Sequence, residues 1–201
     1  MVMPTTLIAV VHADESCLGN GQEGESPGGA ASLVEIELGG RVHRRDLFIS
    51  AADTTNNRMA LSGAIATLAL LLEEYENPSV VYFSDSQYLV KGINEWVPAW
   101  RARGWRRKGG QVENLDLWQR LDKLRGRLDG SSSWYWLRGH AGHAKNEYVN
   151  DLAIEAAREQ KMSDGLVDSQ FLLWLGRKQS LGMFLDFDPD RLSTGMDAAA
   201  R

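Results

Sequence analysis

Two short, unbroken apolar runs, Leu7 to Val11 and Val80 to Phe83, constrain this chain more than any other feature. A strand that is apolar at every position must be covered on both faces, so each run reads as a central strand of a sheet lying between helices. Each is followed closely by an aspartate, Asp14 and Asp85. In open α/β sheets, sites gather beyond strand ends where the connections diverge, and two carboxylates there can face one pocket. Two such groups a few ångström apart repel unless a cation lies between them, and hard oxygen ligands suit Mg2+. Spacing alone leaves a second account open, in which each Asp only caps a turn or a helix.

The rest of the chain supplies the layers such strands need. Gly19 to Gly29 is a polar, Gly-rich loop, and Leu33 to Leu38 alternates, with Val34, Ile36 and Leu38 apolar and Glu35 and Glu37 between them, as in a half-exposed strand. Gly39-Gly40 then makes a hairpin turn into a third strand around Arg41 to Ile49. Asp53 to Asn57 offers several N-caps for a helix carrying Leu61, Ala64, Ile65, Leu68 and Leu72, which Asn77-Pro78 stops. Ser84-Asp85-Ser86 starts another helix, running to about Trp96 and broken by Pro98. A helix from Asn114 to about Leu128, a fifth strand from Ser133 to Leu137 and an Ala-rich helix from Lys145 to Glu159 follow. This order predicts an α/β three-layer domain over residues 1–160, its five-stranded mixed sheet made of three antiparallel strands and then two parallel ones. Residues 161–201 form a C-terminal extension, with an apolar helical patch at Phe171 to Leu175 and a frayed, polar, disordered end; it is expected to dock on the domain.

Composition narrows the class. With 201 residues, 43% of them apolar, the chain can bury a real core. The single cysteine, Cys17, excludes an internal disulfide framework and a zinc site built on several thiolates, and fits a reducing compartment. The start has a short apolar run but no basic flank, and reads as a strand rather than a signal peptide. No stretch approaches the roughly 20 apolar residues that span a bilayer, so a cytoplasmic monomer with no membrane partner is expected. The net charge of −5 argues at face value against an anionic partner such as nucleic acid.

Resolved along the chain, that sum changes meaning. Lys91 to Arg127 holds ten basic and four acidic residues, a segment of +6 that leaves −11 for the remainder. Arg101, Arg103, Arg106, Arg107 and Lys108 sit there without an acid, interleaved with Trp96, Trp100 and Trp105. Bases beside aromatics suit a groove that tracks a nucleic-acid backbone. The tryptophans could equally pack a bent helix pair, with the arginines as a solvated face.

Five blocks, in order, make the chain resemble a type 1 ribonuclease H over about residues 5–159. They are Asp14-Glu15-Ser16-Cys17-Leu18-Gly19-Asn20, Thr54-Thr55-Asn56-Asn57-Arg58-Met59, Ser84-Asp85-Ser86-Gln87-Tyr88, the basic stretch from Ile93 to Leu121, and Arg138-Gly139-His140-Ala141-Gly142-His143 with Asn146-Glu147. The resemblance implies an endonuclease that hydrolyses the RNA strand of RNA–DNA hybrids with two Mg2+ ions, releasing a 3′ oxygen and leaving 5′-phosphate ends. It also implies that the short amides Asn20, Asn56, Asn57 and Gln87 touch the hybrid, where such groups can read 2′-hydroxyls, and that Thr55 holds a DNA phosphate, unless Thr55 and the asparagines serve only as helix caps. Lys91 and the arginine cluster would contact the DNA strand. His140, which follows Gly139 and precedes Ala141-Gly142, would act as a proton shuttle at the leaving group, whereas His143 reads as structural.

The family places four acids around its ions, and two are replaced. Ala60 stands where a Glu is expected, and Asn150 where an Asp is expected. Asn150 keeps a carbonyl oxygen for a metal or a bound water, but Ala60 keeps nothing. Glu15 is the first candidate substitute, although neighbouring strand residues point to opposite faces, so the chain would have to turn at once. Asp53 could reach back from the start of the first helix, and Asp151 lies about 100° round its helix from Asn150. Three accounts of the losses stay open: an altered nuclease, weaker or preferring Mn2+; a hybrid-binding protein without catalysis; and an engineered inactive variant. A strand-transfer enzyme of the transposase or integrase kind shares the fold but needs neither the amides nor the histidine loop.

Overall fold

The computed structural model describes residues 7–19, 26–128, 132–139 and 141–194. Asn20 and His140 therefore lie outside the described residues, as does the polar terminus beyond residue 194.

Six strands form the main sheet. β1 (Ile8–Cys17), β2 (Gly28–Leu38) and β3 (Arg41–Ala51) are antiparallel neighbours; β4 (Ser79–Ser84) and β7 (Ser132–Trp136) add in parallel on the other side of β1. The sixth, β8 (Val167–Asp168), comes from the C-terminal extension and pairs antiparallel with β3, giving the order β7-β4-β1-β2-β3-β8. Two residues are too short a run to show any period, which is why five strands were legible and not six. A separate two-stranded ribbon, β5 (Arg106–Arg107) and β6 (Gly110–Gln111), lies in the basic segment.

Both sheet faces are covered. α1 (Asn56–Glu74) and α4 (Leu115–Arg127) pack on one face, around Ala9, Val11, Ala13, Leu61, Leu68 and Trp118. α5 (Ala144–Glu159) and α6 (Phe171–Ser180) cover the other, around Ala31, Leu33, Val149 and Phe171. α5 lies very close to the sheet: a Cβ on Gly29 would stand 2.2 Å from the Ala153 carbonyl oxygen. Among the candidate caps of α1, Thr55 takes the role, its hydroxyl accepting from the Arg58 amide.

Two expectations need correcting. β2 is not half-exposed, because helices lie on both of its faces: Glu35 is fully buried, whereas Leu38 at the strand's end is exposed. Nor does Pro98 end its helix. α2 (Gln87–Lys91) runs through a π-helical turn at Gly92–Trp96 into α3 (Val97–Ala102). In the π turn the Val97 amide donates to the Gly92 carbonyl, so the Ile93 carbonyl would next look to the nitrogen of Pro98, which carries no hydrogen. Arg125 of α4 donates to that carbonyl instead, at 2.8 Å.

Candidate active site

β1 stays in register with β2 as far as Cys17, but its parallel ladder with β4 ends at the Ala13–Ser84 pair. Past that rung the β4 side of β1 is open. Asp14 and Glu15 leave the strand on opposite faces and converge in this gap, with Asp85 arriving just after the last residue of β4. One carboxylate oxygen from each of the three lies within 4.8 Å of the others. No turn is needed, contrary to the expectation for Glu15; an unpaired strand edge and one extra methylene suffice. Ala13 and Ala60 share the core cluster on the α1 face, so the small side chain at residue 60 lies on the side that Glu15 takes.

Burial and crowding disfavour the charged forms of Asp14 and Glu15. Burial, then the charges of Asp85 and Glu15, push Asp14 up to about 9. Burial and the Asp85 charge push Glu15 up to about 8, against a hydrogen bond from the Ser86 side chain. Three hard oxygen donors this close together could hold a divalent cation between them.

Neighbouring elements fix the acids. Asp14 accepts from the Glu15 amide at 2.7 Å and from Asn146 Nδ2 at 3.4 Å. Asn146 is buried and its Oδ1 has no hydrogen-bond partner. Asn150 lies one turn further along α5, half-buried, on the same side of the helix as Asn146. Asn146 was legible only as part of a matching block; a helical face pointing at the ends of β1 is visible only once α5 is docked. Beside Asp85, Trp136 Nε1 donates to its backbone carbonyl at 2.9 Å, and Gly139 lies so near that a Cβ there would stand 2.5 Å from Asp85 Oδ2. The other candidate acids are elsewhere: Asp53 is exposed and accepts from the Ser26 amide, and Asp151 is held by Trp174 and Lys178 of α6. His143 stacks on the buried His12 at 5.2 Å between ring centres.

The residues expected on the substrate surface divide into two groups. Trp96 and Trp100 pack with Tyr88 and Trp118, and with Arg107 and Glu113 they line a surface pocket. Trp105 is half-buried against the same core. Arg103, Arg106 and Arg107 are exposed, with Arg106 and Arg107 on the β5–β6 ribbon, while Arg101 lies 3.5 Å from Asp122. Lys91 and Gln87 are exposed and bonded to each other, and Asn56 and Asn57 are half-buried in the first turn of α1.

The family model described as RNase H matches residues 8–158. A ribonuclease H of Pelobacter propionicus is 40% identical over 158 residues, 78% of this chain and 89% of that protein. A ribonuclease H of Escherichia coli O127:H6 is 39% identical over 155 residues, 77% and 92% of the two chains. Among solved structures, LC9-RNase H1, described as a type 1 RNase H with the type 2 active-site motif, is 42% identical, with TM-score 0.81 over 100% of this chain and 99% of that one. A foamy-virus RNase H domain, 13% identical at TM-score 0.65 over 77% and 97%, shares the fold.

Proposed function

The chain belongs to the ribonuclease H family, and from that membership we propose that it is a divalent-metal endonuclease cleaving the RNA strand of RNA–DNA hybrids with a rearranged set of acids. The observation that carries this reading is the convergence of Asp14, Glu15 and Asp85, with Glu15 supplying from β1 the carboxylate that Ala60 lacks on α1. A relative 42% identical is described as a type 1 RNase H with the type 2 active-site motif.

In this reading Asp14, Glu15 and Asp85 hold the cations, with the side-chain carbonyl of Asn150 as a neutral fourth ligand. A divalent cation held there would supply a more acidic water and positive charge to offset the scissile phosphate. Asn146 fixes the orientation of Asp14, and Gly139 lets the chain before His140 approach Asp85. His140 delivers a proton to the leaving 3′ oxygen. Asn20, Thr55, Asn56, Asn57 and Gln87 bind the hybrid, as the resemblance implies, and Lys91, Arg103, Arg106 and Arg107 bind phosphates of the DNA strand, with the tryptophan pocket beside them.

Cleavage of a labelled hybrid in Mg2+ and in Mn2+ tests the assignment, with Asp14→Asn and Glu15→Gln measured alongside. Each substitution is expected to lower kcat by about 100-fold or more with hybrid affinity kept, because the metals supply most of the chemistry. Full activity in Glu15→Gln overturns the role of Glu15. Hybrid binding without cleavage in either metal replaces the enzyme by a binding protein, and cleavage of DNA duplex points to strand-transfer chemistry.

A further inference from the structure

Lys145 occupies a position that stability alone does not explain. It lies in the first turn of α5, where the helix dipole disfavours a cation, and it is 1% exposed. Its ammonium donates to Glu35 Oε2 at 2.7 Å and to the Arg191 carbonyl at 3.0 Å, and the ring of Phe187 lies 6.0 Å away. Arg44 completes the cluster, donating to Glu35 Oε1 at 3.0 Å, to the Pro189 carbonyl, and to Asp190 at 2.8 Å. Ser193 Oγ lies 3.0 Å from Nε2 of the buried His12, two residues before Asp14. The segment from Phe184 to Ser193 thus forms a strap across the sheet face at the N-terminal end of α5. Burying two cations and a carboxylate costs desolvation that apolar residues would avoid, so such a cluster is better suited to fixing a position than to adding stability.

What it fixes is next along the chain. Asn146, adjacent to Lys145, donates to Asp14, and Asn150 follows one turn later. The same strap borders the pocket that runs up to Trp136, Arg138 and His143, beside the histidine loop. We propose that Lys145, clamped between Glu35 and the strap's Arg191 carbonyl, is a positioning residue that holds Asn146 and Asn150 against the acids, making the C-terminal strap a working part of the metal site. This rests on the proposed metal-binding role of Asp14 and its neighbours.

The test compares the full chain with Lys145→Met, Lys145→Arg and a chain ending at Gly182. Calorimetric titration with Mn2+ alone is the first readout, and hydrogen exchange of the α5 first turn the second, both on variants whose circular dichroism matches the parent. Lys145→Met and the shortened chain are expected to bind Mn2+ about 10-fold more weakly and to exchange faster at residues 144–150. Hybrid cleavage should need correspondingly more metal at unchanged KM, and Lys145→Arg should recover most of the loss. Unchanged Mn2+ affinity in a folded Lys145→Met chain overturns the proposal. If the shortened chain does not fold, Lys145→Met decides alone; if Lys145→Met does not fold, Ser193→Ala and Asp190→Asn decide, and unaltered Mn2+ affinity in both overturns it. Failure of the underlying site looks different: Asp14→Asn in the full chain would then leave Mn2+ binding intact.

Discussion

At the scale of single residues, Asp14 and Glu15 bind protons more tightly in the folded, metal-free chain than in the unfolded one, with values of about 9 and 8 against reference values of 3.8 and 4.5. The sign follows from linkage. Stability from these groups is fully present below the reference values and is lost as pH rises through the folded ones, because the folded state must then hold buried and mutually repelling charges. The metal-free melting temperature should therefore fall between pH 6 and pH 9. Asp14→Asn should blunt that fall, and at pH 9 without metal it should be the more stable chain by on the order of 1 to 3 kcal/mol. Adding Mg2+ should reverse the order, since a ligand at 100 times its Kd stabilises only a chain that binds it, by about 2.7 kcal/mol. Melting curves at both pH values, with chelator and with Mg2+, check this; a parent chain whose metal-free stability is flat over the window would mean that neither burial nor crowding raises these carboxylates.

At the scale of elements, the π turn between α2 and α3 makes a local demand that a distant helix meets. The Ile93 carbonyl finds no amide at the π-register position because residue 98 is proline, and Arg125 donates to it. Arg125→Met should cost about 1 to 3 kcal/mol, the penalty for a polar group left unpaired. Pro98→Ala supplies an amide at the π-register position, so in that background the Arg125→Met loss should shrink. Urea midpoints of the four chains give the coupling directly, and strictly additive losses would show that the two sites are independent. The same region marks the limit of legibility. Apolar runs, caps and turns predicted five strands and the principal helices because those signals are local. The continuation past Pro98 was hidden because it depends on a register slip and on an arginine 32 residues away. The burial of Glu35 was hidden for the same reason: its alternation with Val34 and Ile36 has the period of a half-exposed strand, and its partner Lys145 lies 110 residues on. At the site, Asp14 and Asp85 announced themselves as strand-end acids. That Glu15 could join them without a turn depended on where the β1–β4 ladder stops, which no periodicity encodes.

At the scale of the whole molecule, the net charge of −5 divides into a +6 segment and a −11 remainder, and the fold separates the arginines of that segment by task. Arg125 is committed to a helix carbonyl and Arg101 leans on Asp122, whereas Arg103, Arg106 and Arg107 extend into solvent around the β5–β6 ribbon. Only side chains free to neutralise phosphates release counterions on binding, and each such contact contributes roughly 0.7 to 0.9 to the slope of log K against log salt. Replacing Arg103, Arg106 and Arg107 together by Gln should therefore weaken hybrid binding and flatten that slope by about 2 to 3. Arg125→Gln should lower stability and leave the slope unchanged. Binding of a hybrid to Asp14→Asn, measured by anisotropy from low to moderate salt, keeps cleavage out of the comparison. An unaltered slope in the triple variant would move the DNA-strand contact away from the ribbon, and an equal change in Arg125→Gln would mean that the arginines act through their summed field and not through individual phosphates.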